Sequence, residues 1–256
     1  MYFHRSTADW LVGLIGVSCL LCGDCAKEKP KPPPAPLSGA THSPCDSGES
    51  RDPPHQQARP AIQALRGKDY DTAVRLFGEL LAKYPESASL RVWLGDACLG
   101  QGTVPSIQAA LDAYGEALAL DARGCKLRER ETFFLYVGTA DAQIRQQHAE
   151  LALAKLADAE RKWPDTAEVA YQRARAECQL GQRDACFVDL KAAFTLARSA
   201  QHPRFSRSHH SSDRLLERAA TEPELEALRK EPRYRALLAL AGAGDAGTVD
   251  REPAGP

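Results

Sequence analysis

Asparagine is absent from the 256-residue chain. That removes every N-glycosylation acceptor and any site chemistry that depends on an Asn carboxamide. Aromatic residues are few, at 7%, which argues against a β-rich sandwich, whose strands draw on aromatic and β-branched side chains. A surplus of one charge is also missing: 33 Lys and Arg face 34 Asp and Glu, for a formal charge of −1. So balanced a chain has no general field for gripping nucleic acid or an anionic membrane. Paired CxxC motifs are lacking, because Cys22-Gly23-Asp24-Cys25 stands alone, and this excludes a zinc ribbon. No long hydrophobic run is present; the most apolar stretch, Trp10 to about Cys22, is shorter than the roughly 20 residues that span a bilayer as a helix.

What remains is helical in character. Ala and Leu recur throughout, and both lose little entropy in a helix. Hydrophobic residues make up 43% and mean hydropathy is −0.40, so most of the chain suits water. The length suffices for one or two domains with a real core.

The first 26 residues read as an export signal, with Arg5 ahead of the apolar run and a polar, proline-rich stretch behind it. The run fits the 7–15 apolar residues, roughly, of a secretory h-region. Two outcomes stand open. Cleavage after Cys25 or Ala26 would release a soluble protein. Alternatively Val17-Ser18-Cys19 resembles the lipobox of bacterial lipoproteins, which makes Cys19 the lipidation candidate, although Gly16 departs from the usual Leu. Either way the expected location is periplasmic, and the lipidated form would be membrane-anchored, at the outer membrane rather than the inner. Residues 27–60 carry many prolines and few large apolar side chains, so they read as a disordered spacer.

From residue 61 the apolar pattern turns periodic. Ala73, Phe77, Leu80 and Pro85 set a small residue, large apolar residues four and seven later, then a stop. The series returns as Ala110, Tyr114 and Ala117, as Ala152, Leu156, Ala159 and Pro164, and as Cys186, Leu190 and Ala193. Small anchors fall 37, 42 and 34 residues apart, with the surplus at Thr103–Pro105 and around Asp121–Arg130. Positions three, four and seven apart share one helical face, so each helix buries a stripe. Another helix precedes each anchor helix: a short Ala61–Gly67, then Ala88–Leu99, Glu131–Ile144 and Ala167–Leu180, the last ending at Gly181. Asp165 with Glu168 reads as a cap pair, as does Thr221 with Glu224 around Pro223.

Leu94-Gly95, Val137-Gly138, the A-x₃-F step of Ala73 and Phe77, and the stops at Pro85 and Pro164 together resemble the tetratricopeptide repeat, whose period is about 34 residues. Arg173 stands where that pattern usually has an apolar residue. The resemblance covers about residues 60–198 and implies an all-α fold. The expected architecture is an α-solenoid of about four helix-turn-helix units over 61–200, a C-terminal helical cap over 201–240 with two helices in Ser212–Leu240, and a disordered tail over 241–256. A solenoid's last repeat exposes an apolar face, so a cap is physically required.

No catalytic arrangement emerges, and neither a cofactor nor a metal is expected. Cys22 and Cys25 lie at the end of the signal-like run, away from the strand–helix setting of a redox pair. His209-His210 sit in a Ser-rich basic loop. Cys178 and Cys186 flank the turn at Gly181, which leaves a disulfide or two buried small thiols open. The chain therefore reads as a non-enzyme whose partner is another protein or an extended peptide, with no nucleic acid and membrane contact only through the N-terminal anchor. In the repeat family the first helix of each unit lines the concave face. Trp93 and Asp96, Leu135 and Tyr136, then Tyr171, Gln172 and Arg175 are the partner-binding candidates on that ground, while Trp93 and Tyr136 equally suit packing between repeats. The family's clamp for acidic C-terminal tails uses Asn, which this chain lacks. A structural or assembly role in envelope biogenesis, without a peptide groove, is the rival reading.

Overall fold

The computed structural model describes residues 51–199 and 212–242. The predicted signal, Cys19, Cys22 and Cys25, most of the spacer, the His209-His210 loop and the tail lie outside that range. Eight helices run in hairpin order: α1 (His55–Arg66), α2 (Tyr70–Lys83), α3 (Ala88–Gln101), α4 (Val104–Ala122), α5 (Glu129–Arg145), α6 (Ala149–Lys162), α7 (Ala167–Gln179) and α8 (Arg183–Arg198). A C-terminal group follows: α9 (Ser212–Thr221), a 3-10 turn (Pro223–Leu225), α10 (Glu226–Arg229) and α11 (Pro232–Gly242). The fold is an all-α solenoid, and the described residues hold no strand. Each of α1 to α8 packs on the next, and α1, α3, α5 and α7 also touch in succession, forming one continuous layer.

The anchor series is buried in all four units. Ala73 and Phe77, Ala110 and Ala117, Ala152, Leu156 and Ala159, and Cys186, Leu190 and Ala193 are all 0% exposed. Small anchors allow close helix approach, and the larger residue a turn later fills the space so gained. Tyr114 goes further. Its ring is clasped between two glycines: a Cβ at Gly95 would stand 2.5 Å from Tyr114 Cε1, and one at Gly138 would collide with its hydroxyl. Gly95 and Gly138 hold the same position in α3 and α5, so one ring from α4 locks two units together. Gly100 makes room for Tyr70 in the same way.

Helix starts follow local chemistry. Asp69 accepts from Thr72 N ahead of α2, and Ser87 accepts from Leu90 N ahead of α3. Thr103 and Ser106 cap α4 reciprocally. Every hairpin turn carries one left-handed residue: Lys68 (φ 62°), Gly102 (72°), Gln147 (65°) and Gly181 (74°). Lys68, Gln147 and Gly181 each precede their anchor by five residues, and Gly102 by eight, which locates the three-residue insertion at Thr103–Pro105.

Several local expectations differ from the structure. Helix α1 starts at His55, inside the stretch read as spacer, and takes in Pro60. Asp165 is no cap; it sits at φ 55°, Thr166 precedes α7, and the Glu168 carboxylate turns to Arg218 and Gln172. Thr221 ends α9, its hydroxyl donating to the Glu217 and Arg218 carbonyls, and Glu224 faces Arg175. The C-terminal region holds three helices and a 3-10 turn rather than two helices. Its Leu215, Ala219, Leu225, Leu228, Tyr234 and Leu237 join Leu190 and Phe194 in one core, which closes the apolar side of α8.

Candidate functional site

Trp93, on α3, is half-buried with its ring 6.0 Å from Phe77 of α2, at the boundary between the first and second hairpins. One turn on, Asp96 Oδ1 accepts from Tyr114 Oη at 2.7 Å. Burial pushes the Asp96 carboxyl up to about 7, against the lowering effects of that hydrogen bond and of Arg130. Leu135 is 2% exposed and lies in the core with Val92 and Tyr114. Tyr136, on α5, is half-buried; its ring meets Trp163 edge-on at 5.7 Å, and Lys162 Nζ donates to its hydroxyl at 2.9 Å.

The three α7 candidates have a different environment. Tyr171 and Arg175 are 0% exposed and Gln172 is 1% exposed. Arg175 pairs with Asp141 of α5 and, through Nη2, with Glu222 at 3.1 Å and Glu224 at 3.2 Å. It also donates to Gln172 Oε1 at 2.9 Å. Arg218 of α9 donates to both Glu168 oxygens, at 2.8 and 3.0 Å, and its guanidinium lies 4.5 Å above the Tyr171 ring. Arg145 completes the group on Asp141. Burial alone would raise the Asp141 carboxyl, yet Arg175, Arg145 and Arg218 outweigh it and hold it at about 2. The chain's own acidic turn thus occupies the α7 face that the repeat pattern assigns to partners. Arg173, the departure from the pattern, forms a two-pronged ion pair with Asp189 of α8 at 2.8 and 2.6 Å.

Cys178 and Cys186 form a disulfide across the α7–α8 turn. Cys125 is also disulfide-bonded. Among the described residues Cys98 is the free thiol; it is buried, and burial pushes its pKa up, which keeps it protonated and unreactive. No group of three or more His, Cys, Asp or Glu side chains among the described residues is arranged to hold a metal ion. No helix among them is long and apolar enough to cross a membrane.

Sequence reasoning missed the partners of Arg175, because Glu222 and Glu224 are separated from it by nearly 50 residues and Glu224 reads locally as a capping group. The signal was present in charge placement: Asp141, Glu168 and Arg175 all interrupt otherwise apolar helical stripes, and buried charges demand partners. It also missed the row of rings formed by Phe134, Phe133, Trp163 and Tyr136. Trp163 lies after α6, so its spacing ties it to no α5 residue. No protein-family model matches the chain, and no curated protein matches it in sequence.

Proposed function

We propose that this chain is a non-enzymatic interaction scaffold of the tetratricopeptide type, exported to a bacterial cell envelope, which holds a partner protein or extended peptide on its inner helical layer. The observation that carries the reading is the contrast along that layer. Trp93 and Tyr136 stay half-open on α3 and α5, whereas Tyr171 and Arg175 are covered by the chain's own α9 and 3-10 turn. Large aromatic groups with few rotatable bonds anchor interfaces efficiently. Engagement therefore centres on α3 and α5, and affinity follows a few well-placed groups rather than total area.

Export has independent support in the Cys178–Cys186 disulfide and the bonded Cys125, since such bonds persist in oxidising compartments. Capture from envelope extract by the full chain, compared with Trp93→Ala and Tyr136→Ala, tests the scaffold reading. A partner set lost in both variants, at unchanged helicity, supports it, and identical partner sets remove the inner layer from the account. The covered α7 face favours the second reading, an anchored assembly factor without a groove. For that reading Cys19→Ser should free the protein from membranes, and continued membrane fractionation would reject lipidation there.

A further inference from the structure

In a chain poor in aromatic residues, four rings gather between the first half of α5 and the residue that follows α6, at the end of that hairpin away from its turn. Phe134 meets Phe133 at 5.7 Å, Phe133 meets Trp163 at 5.3 Å, and Trp163 meets Tyr136 at 5.7 Å, each edge-to-face. Cations stand at both ends. The Arg130 guanidinium lies 5.3 Å from the Phe134 centroid, and Lys155 and Lys162 lie 4.9 and 4.5 Å from that of Tyr136.

The two lysines are the informative pair. Among the described residues neither forms an ion pair, although both crowd one tyrosine. The neighbouring acids are engaged elsewhere. Glu129 accepts from Trp163 Nε1 at 3.2 Å, Asp158 pairs with Arg161, and Glu160 accepts from Asp165 N at 3.2 Å. Both ammonium groups thus lie within 5 Å of one ring's centroid, and no carboxylate among the described residues pairs with either. A carboxylate from outside would supply that partner.

We propose that the Tyr136–Lys155–Lys162 end of this aromatic row is the docking point for an acidic peptide segment of the partner, an inference that rests on the interaction reading above. Carboxylates would seat on Lys155 and Lys162, beside the half-buried ring of Tyr136. Charge complementarity selects a peptide. Nucleic acid needs many phosphate contacts, whereas this chain has net charge −1 and offers two ammonium groups here.

Fluorescence anisotropy of the full chain with labelled oligo-glutamate tests this, alongside oligo-glutamine, oligothymidylate and phosphatidylglycerol vesicles. Oligo-glutamate is expected to bind and oligo-glutamine to fail. The double variant Lys155→Gln/Lys162→Gln should weaken binding about tenfold, as should Tyr136→Ala, with Tyr136→Phe retaining most of it. Lys83→Gln/Lys191→Gln, which removes the same charge from α2 and α8, should leave binding intact. Equal weakening by that control pair, or binding confined to oligothymidylate or vesicles, overturns the proposal. So does an indifferent oligo-glutamate result while envelope capture still depends on Trp93 and Tyr136, an outcome that leaves the scaffold reading standing. Helicity and melting temperature of each variant keep misfolding apart from lost recognition.

Discussion

Tyr114 shows how much one residue decides. The residue is 1% exposed, its ring meets backbone where Gly95 and Gly138 omit a side chain, and its hydroxyl reaches Asp96. Interiors this dense yield little to an added methyl. Gly138→Ala is therefore expected to cost about 1–3 kcal/mol, read as a lower denaturant midpoint, even though alanine is the better helix former. Gly115→Ala, on the same α4 as Tyr114 and with open space around its Cβ, should be neutral or stabilising by up to about 1 kcal/mol. A neutral Gly138→Ala would mean that the ring is not held as described. Asp96 makes a second prediction at this scale. Its folded pKa of about 7 lies above the ordinary 3.8, so between those values the folded state binds more protons than the unfolded one. Stability should then fall as pH rises from about 4 to about 7. Glu177, raised to about 7 by burial and by Asp189, acts in the same sense. The Asp96→Asn variant isolates one contribution: its melting temperature should show a shallower pH slope than the parent chain over that window, and parallel slopes would exclude Asp96.

At the scale of the helix and its turn, the repeat is written in backbone conformation as well as in apolar spacing. The four hairpin turns share a left-handed residue, yet only Gly102 and Gly181 are glycines, while Lys68 and Gln147 hold the same conformation with a side chain. The left-handed region costs an ordinary residue about 1–2 kcal/mol. A Cβ at Gly181 would meet nothing within 4 Å, so Gly181→Ala should destabilise by about 1 kcal/mol through conformation alone. Gln147→Gly should move melting temperature the other way, and matching signs for the two variants would refute a shared turn geometry. This contrast also marks what was legible in advance. Helix order and buried anchors could be read because Ala73, Ala110, Ala152 and Cys186 answer to a local period. Lys68, Gln147 and Asp165 could not be recognised as left-handed, since their conformation is imposed by the helices on either side. The cap pairs proposed at Asp165–Glu168 and Thr221–Glu224 failed for a related reason: Glu168 and Glu224 gain more from Arg218 and Arg175 across the fold than from a backbone amide three residues away. The local period also placed Trp93 and Tyr136 on α3 and α5, where both are half-buried. That Arg175 is buried depended on contacts no local pattern encodes.

Over the whole molecule, stability passes from neighbour to neighbour, as it must in a stacked array, and the final link is chemically unlike the rest. Hairpins α1 to α8 are joined mainly by apolar stripes, whereas the C-terminal group joins α7 and α5 through Arg175 and Arg218 as well as through Leu215, Leu225 and Leu228. An ion cluster of this kind contributes modest net stability, because desolvation offsets attraction, but removing one member strands the others. Arg175→Ala would take from Glu224 its ion-pair partner and leave Asp141 to Arg145 and Glu222 to Arg218, at an expected cost of about 3–5 kcal/mol. The loss should be local. Amide exchange is expected to accelerate across α9 and the 3-10 turn, and at the α7 face beneath them, while α3 and α4, two hairpins away, keep their protection. Adding Glu222→Gln and Glu224→Gln to Arg175→Ala should recover part of the cost, since it removes two of the three carboxylates that faced the lost guanidinium. Uniform acceleration along the chain, or no recovery in the triple variant, would show that apolar packing alone holds the C-terminal group and that the acidic turn sits on α7 without energetic consequence.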